Sequence, residues 1–173
     1  LGPDSATSLG VAAIRFIVGA IALFAITTLA RKPHVTTVSL PLYIWLIAGF
    51  GQAMYGATFF AAVHETGVAV GTVVALGSAP ILTGVLSAVL FRSLPTRTWM
   101  LATVAAIAGM SLIVLSGNDT NVSVVGIMFA LGAGLGYALF ALASKRIVEA
   151  GVSSDVAMSR VFGIAAIMLV PAL

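Results

Sequence analysis

The sequence predicts an all-α membrane protein built as an inverted-repeat helical bundle, and three observations carry that expectation. Hydrophobic residues make up 61% of the chain and charged residues 8%, with a mean hydropathy of +1.19. A water-facing surface needs roughly a quarter of its residues charged, so water is the wrong solvent for this chain. The apolar residues fall in six runs of about 20, and a helix rising 1.5 Å per residue covers a hydrocarbon core of about 30 Å at that length. Shifting the chain by 145 residues, the distance from Arg15 to Arg160, lays its two in-span arginines on one another. The runs lack the alternation of barrel strands, which leaves helix as the spanning state.

Taken in order, the spans are expected near residues 9–30, 41–63, 67–90, 98–117, 123–144 and 156–173. The breaks between them, RKPHVTTVSLP, HETG, FRSLPTR, GNDTNVS and SKRIVEAGVSSD, hold nearly all the charge and the turn-forming residues. Arg31, Lys32, Arg92, Arg97, Lys145 and Arg146 fall in alternate breaks and hence on one side, while Asp4, Glu65 and Asp119 fall on the other. The positive-inside rule then makes the basic loops 31–34, 92–97 and 145–149 cytoplasmic, in a multi-pass protein of the cell (inner) membrane. The net charge of +3 is thereby a topology signal. The bilayer is the expected partner and nucleic acid is not.

The chain opens LGPDSATS, with no initiator methionine or basic leader, and closes on IAAIMLVPAL, so both ends are expected to be cut. It has no cysteine, hence no disulfide and no thiolate ligand or nucleophile. No carboxylate pair lies in a span, no His/Asp/Glu cluster has metal spacing and no serine has a base partner. Neither metal, cofactor nor enzymatic activity is expected.

The first span raises a question, because Arg15 lies two turns inside it and a guanidinium at helix centre costs about 2.5–3.5 kcal/mol on insertion scales. The internal repeat offers an answer. Under the 145-residue shift Ser8 pairs with Ser153, Val11 with Val156, Ala12 with Ala157, Arg15 with Arg160 and Ala20 with Ala165. An odd number of spans separates the equivalent helices, so the copies are expected to be inverted about an axis in the membrane plane. This divides the chain into 1–122, a first repeat lacking its first helix, and 123–173, the start of a second. The implied parent has about 290 residues and ten spans, of which spans two to seven are here. Each arginine either snorkels to nearby headgroups or faces a wet cavity, where it binds a solute carboxylate or closes an ion pair.

In the third span Trp45, Gln52, Tyr55 and Phe59 share one helical face. The Gln52 amide has hydrogen-bonding positions that lipid cannot fill, and is expected against another helix or in a wet cavity. Trp45 suits a cavity wall or the interfacial aromatic belt. The fourth span carries a ridge of small residues, Gly67, Gly71, Ala75, Ala79, Thr83 and Ser87, which lets a neighbouring backbone come close. Pro80 breaks the hydrogen bond to the Leu76 carbonyl, and with Ser78 beside it is a candidate hinge and solute contact. The sixth span carries Gly132 and Gly136 as a GxxxG packing motif, followed by Tyr137, a candidate for cavity lining. His64 and Glu65 close the third span and are expected in solvent. The sequons at Asn118 and Asn121 read as loop chemistry.

Four stretches resemble the ten-span drug/metabolite transporter superfamily, specifically its EamA-like exporters. "VAAIRF" is similar to the family's second helix, and "ETGVAVGTVVALGSAPILTGVLSAVLF" to its fourth, with the mid-helix proline at Pro80. "SLPTRTWMLATVAAIAGMSLIVLSG" is similar to the fifth, and "VVGIMFALGAGLGYALFALASKRI" to the sixth. Where the family often has Gly-Glu after the fourth helix, Phe91 and Arg92 stand here, so no role of that glutamate carries over. The resemblance implies a secondary carrier that exports amino acids or similar small metabolites by alternating access. Two other classes compete with it. A six-span channel would need Asn-Pro-Ala half-helices, which the chain lacks. A non-transporting scaffold subunit would be a complete six-span protein.

Overall fold

The computed structural model describes residues 3–29, 40–92, 95–115 and 123–172. They form helices α1 (Pro3–Leu29), α2 (Leu42–Phe91), α3 (Arg97–Leu115), α4 (Val124–Glu149) and α5 (Ser154–Leu169), followed by a 3-10 turn, Val170–Ala172. No strand occurs among the described residues. Gly10–Leu29, Leu42–Phe91 and Val124–Glu149 are long and apolar enough to cross a bilayer. The loop at 31–34 and the sequons at Asn118 and Asn121 lie outside the described residues.

Two expected spans, 41–63 and 67–90, meet inside α2. The chain turns at one residue, Gly67 (φ 79°, ψ 162°), and not across the four-residue break HETG. His64, Glu65 and Thr66 remain helical up to that point. The turn makes α2 a hairpin of two limbs, 42–66 and 68–91, each long enough to span. A Cβ on Gly71 would meet the Val63 amide nitrogen at 3.1 Å and the Ala62 carbonyl carbon at 3.2 Å, so the limbs lie backbone to backbone beside the turn. Dihedral angles stay helical through Pro80.

Residues 145–149, expected in a loop, are instead the last turns of α4. Lys145 pairs with Glu149 one turn on, Nζ to Oε1 3.7 Å. The stop comes at Gly151, whose φ of 95° suits glycine. There the Gly151 N–H donates to the Val148 carbonyl (2.9 Å) and the Val152 N–H to the Ile147 carbonyl (3.4 Å). This is a Schellman ending, and Val152 packs onto the buried cluster that contains Ile147. At the other end of α4, Ser123 caps the helix, its Oγ accepting from the Gly126 N–H at 3.4 Å.

The residues gather into two compact units, one of 1–53 and 139–173, the other of 54–138. In the first, α1 packs on α5. Ala12, Ala13 and Phe16 are buried on α1, and Ala157, Val161 and Ala165 on α5. The Phe16 and Phe162 rings meet edge to face, with centroids 5.6 Å apart. Trp45 and Ala48 of α2, Ala143 and Ile147 of α4, and Ala157 and Val161 of α5 form one buried cluster. Here α2 and α5 run parallel: Trp45 meets Arg160, and four residues on Gly49 lies against Ile164 and Ala165.

In the second unit, Ala62 and Ala75 from the two limbs of α2 pack with Ala130 and Ala133 of α4. The first limb and α4 are antiparallel, since Gly126 sits against Glu65 and Thr66 while Gly132 sits near Thr58. The expected small-residue ridge does pack, with Gly71, Ala75 and Ala79 all buried. Gly132 of the predicted motif is nonetheless not where α4 is approached most closely: Gly126 and Gly134 are tighter. A Cβ on Gly134 would strike the Ser78 hydroxyl and lie 3.2 Å from backbone atoms of Ala75 and Ala79, whereas one on Gly132 would meet Thr58 at an ordinary 3.6 Å.

Candidate functional site

Guanidinium groups on apolar helices are the chemically exceptional feature of the first unit. Arg15 lies on the exposed side of α1, its guanidinium carbon 5.7 Å from the ring centre of Phe16. Arg160 projects from α5 over the indole of Trp45, 5.2 Å from the ring centre. Both arginines are exposed, where a cation over an aromatic ring gains about 0.5–1 kcal/mol. Neither arginine forms a salt bridge with a carboxylate among the described residues.

Trp45 itself is 8% exposed and packed among Ala48, Ala143, Ile147, Ala157 and Val161. The interfacial-belt reading of Trp45 is therefore corrected: its indole is a packing centre for α2, α4 and α5. Seven residues on, the side chain of Gln52 is also buried. The unit thus holds Trp45, Gln52 and Arg160 on α2 and α5, with Arg15 on α1.

The second unit holds the other candidates. Tyr55 stacks on Phe59 (5.6 Å) and meets Tyr137 edge to face (5.8 Å), and Phe60 meets Phe59 at 5.8 Å. The predicted aromatic stripe of α2 is in this way joined by the α4 tyrosine, which is 40% exposed. Ser78 packs against Gly134, and its hydroxyl donates to the Ala75 carbonyl at 3.1 Å. Two turns of hydroxyl back-bonding bracket Pro80, the second from Thr83 to the Ala79 carbonyl at 2.7 Å. Beside the Gly67 turn, Ser123 Oγ donates to Glu65 Oε2 (3.4 Å), and His64 Nδ1 lies 3.9 Å from Glu65 Oε1. His64 and Glu65 are exposed, as expected.

One residue that sequence reasoning passed over is Ser144. Its hydroxyl is buried and has no hydrogen-bond partner among the described residues. Its place at the predicted end of a span, before Lys145 and Arg146, disguised it as a boundary residue.

Residues 2–115, from α1 through α3, match the model of the EamA-like transporter family. The chain belongs to that family. This EamA-like chain is also 38% identical, over all 173 of its residues, to the uncharacterised transporter YwfM of Bacillus subtilis (strain 168). It spans 57% of that relative's length. No solved structure matches it. The EamA-like chain is thus a multi-pass membrane protein, helical throughout its described residues.

Proposed function

We propose that this chain is the central part of a secondary carrier that exports amino acids or similar small metabolites across the cell (inner) membrane by alternating access, without a catalytic step. The supporting observation is the pairing of α1 with α5. These helices carry the equivalent arginines, and residues equivalent under the 145-residue shift are buried on both: Ala12 with Ala157, and Phe16 with Val161. Such matched faces support two copies of one unit meeting near a pseudo-twofold axis, the arrangement in which carriers rock one repeat against the other. The family match ending at residue 115 supports a first repeat closing after α3.

In this reading Arg15 and Arg160 offer charge-assisted hydrogen bonds to a solute carboxylate, each worth about 1.5–3 kcal/mol when water is excluded. Trp45 holds Arg160 in place by lying beneath it, and Gln52 is a polar contact. Tyr55, Phe59 and Tyr137 give an apolar, aromatic surface, Ser78 a hydroxyl, and Pro80 a point of bending. The basic loops 31–34 and 92–97 and the 145–149 end of α4 face the cytoplasm.

The test is counterflow in proteoliposomes of the full-length protein, preloaded with unlabelled amino acids and given labelled ones outside. A carrier shows transient, saturable accumulation. Flux that rises linearly with concentration and shows no counterflow contradicts the proposal.

A further inference from the structure

Five helical hydroxyls share one way of being satisfied. Those of Thr28, Thr58, Thr66, Ser78 and Thr83 each donate to a carbonyl three or four residues earlier, at 2.7–3.1 Å. Back-bonding of this kind is the ordinary way to satisfy a hydroxyl where water is absent. Ser144 differs from these five. It is 6% exposed, and its Oγ is the buried side-chain oxygen or nitrogen that finds no partner among the described residues. Leaving a buried hydroxyl unpaired costs free energy that serine in mid-helix would normally recover from its own backbone.

The position of Ser144 links it to the arginine site. Helical periodicity puts it on the side of α4 that carries Phe140, Ala143 and Ile147. Those three pack in or against the cluster around Trp45, and Trp45 is the ring on which Arg160 rests. Hence an unused hydrogen-bonding group sits on the helix face that packs on this cluster, and a guanidinium without a described carboxylate partner lies over its indole. An anion acceptor answers both needs, since Arg160 supplies charge and Ser144 a donor. A carboxylate has two oxygens to receive them.

We infer that Ser144 is a solute-contacting residue, its hydroxyl donating to the carboxylate of the transported solute that Arg160 attracts. The inference rests on the carrier reading and deepens it, because it adds a hydroxyl donor to the guanidinium for the solute carboxylate. In the conformation described, the hydroxyl is buried. Alternation of access is what opens it to solute.

The chain's lack of cysteine makes a direct probe available. Ser144→Cys is introduced into full-length protein, with any cysteine elsewhere replaced, and reconstituted in liposomes. Its modification by a small methanethiosulfonate reagent is timed alone, with an equimolar mixture of the standard L-amino acids, with acetate, and with butylamine. The amino-acid mixture slows modification at least about threefold, acetate slows it less, and butylamine leaves it unchanged. In parallel, Ser144→Ala raises the KM of amino-acid counterflow about five- to tenfold, as loss of one such hydrogen bond requires, with no loss of thermal stability. A cysteine that never reacts while counterflow runs, protection by butylamine but not acetate, or Ser144→Ala with unchanged KM and a higher melting temperature would each overturn the inference. Linear flux by the wild-type protein is read separately and defeats the carrier reading along with it.

Discussion

Replacing Gly67 by alanine isolates the backbone geometry on which the hairpin of α2 depends. At φ 79° and ψ 162° the residue lies in a region essentially reserved for glycine. A Cβ built there meets no atom within 4 Å. The substitution therefore adds no clash with a neighbour, and its whole cost is the strain of an L-residue in that conformation, about 1–3 kcal/mol. At roughly 2–4 °C per kcal/mol for a chain of this size, the melting temperature in detergent should fall by about 2–12 °C. Gly109→Ala in α3 is the matched control, because that glycine also has open space around it but sits in a regular helix. There alanine should be neutral or stabilising by up to about 1 kcal/mol. Asparagine at 67 should not rescue stability, since it tolerates the left-handed helical region and not ψ near 160°. Fluorescence-detected size exclusion after heating reads all three variants. A Gly67→Ala protein as stable as wild type would refute the one-residue turn, and with it the division of α2 into two spans.

Other substitutions probe the packing and the arginine site. Gly134→Ala should destabilise by about 1–3 kcal/mol, because backbone atoms of Ala75 and Ala79 cannot yield as a side chain can. Gly132→Ala should change little, and the difference in melting temperature between the two is the measurement. Trp45→Ala should cost about 3–5 kcal/mol through the cavity it leaves among Ala48, Ile147 and Val161, whereas Trp45→Phe should be markedly milder in the same assay. Arg160→Ala should weaken amino-acid counterflow by about tenfold or more in kcat/KM, and Arg160→Lys by less, since lysine keeps the charge but not the planar fork. Full counterflow in Arg160→Ala and Arg15→Ala would remove both from the solute path.

Length and composition made most of the helices legible, because a bilayer demands about 20 apolar residues per crossing and the breaks must hold the charges. The glycine beginning the fourth span was visible, but not that it alone makes the turn. A single residue in a glycine-only conformation needs no loop, so the preceding HET stays helical. The end of α4 was misread because Lys145, Arg146 and Glu149 look like loop charge. The Glu-Ala-Gly that follows is nonetheless a helix stop, with Gly151 as the left-handed residue and Val152 as its apolar contact. Which glycines permit close approach could not be read from spacing. GxxxG picks out one helix face, while tightness at Gly126 and Gly134 depends on what α2 presents opposite them. The same limit applies to Trp45, whose sequence position suits the interface but whose surroundings come from α4 and α5. Ser144 was invisible for a related reason, since an unmet hydrogen bond is a property of neighbours and not of a residue type.

Sided labelling of the equivalent helix starts addresses the inversion most directly. Ser8→Cys and Ser153→Cys, placed singly in full-length protein in intact cells, would be treated with a membrane-impermeant maleimide before and after permeabilisation. The account predicts that residue 8 reacts from outside and residue 153 only once the cytoplasmic face is opened. Both reacting from the same side would mean that α1 and α5 point the same way, and the alternating-access proposal would lose its structural basis.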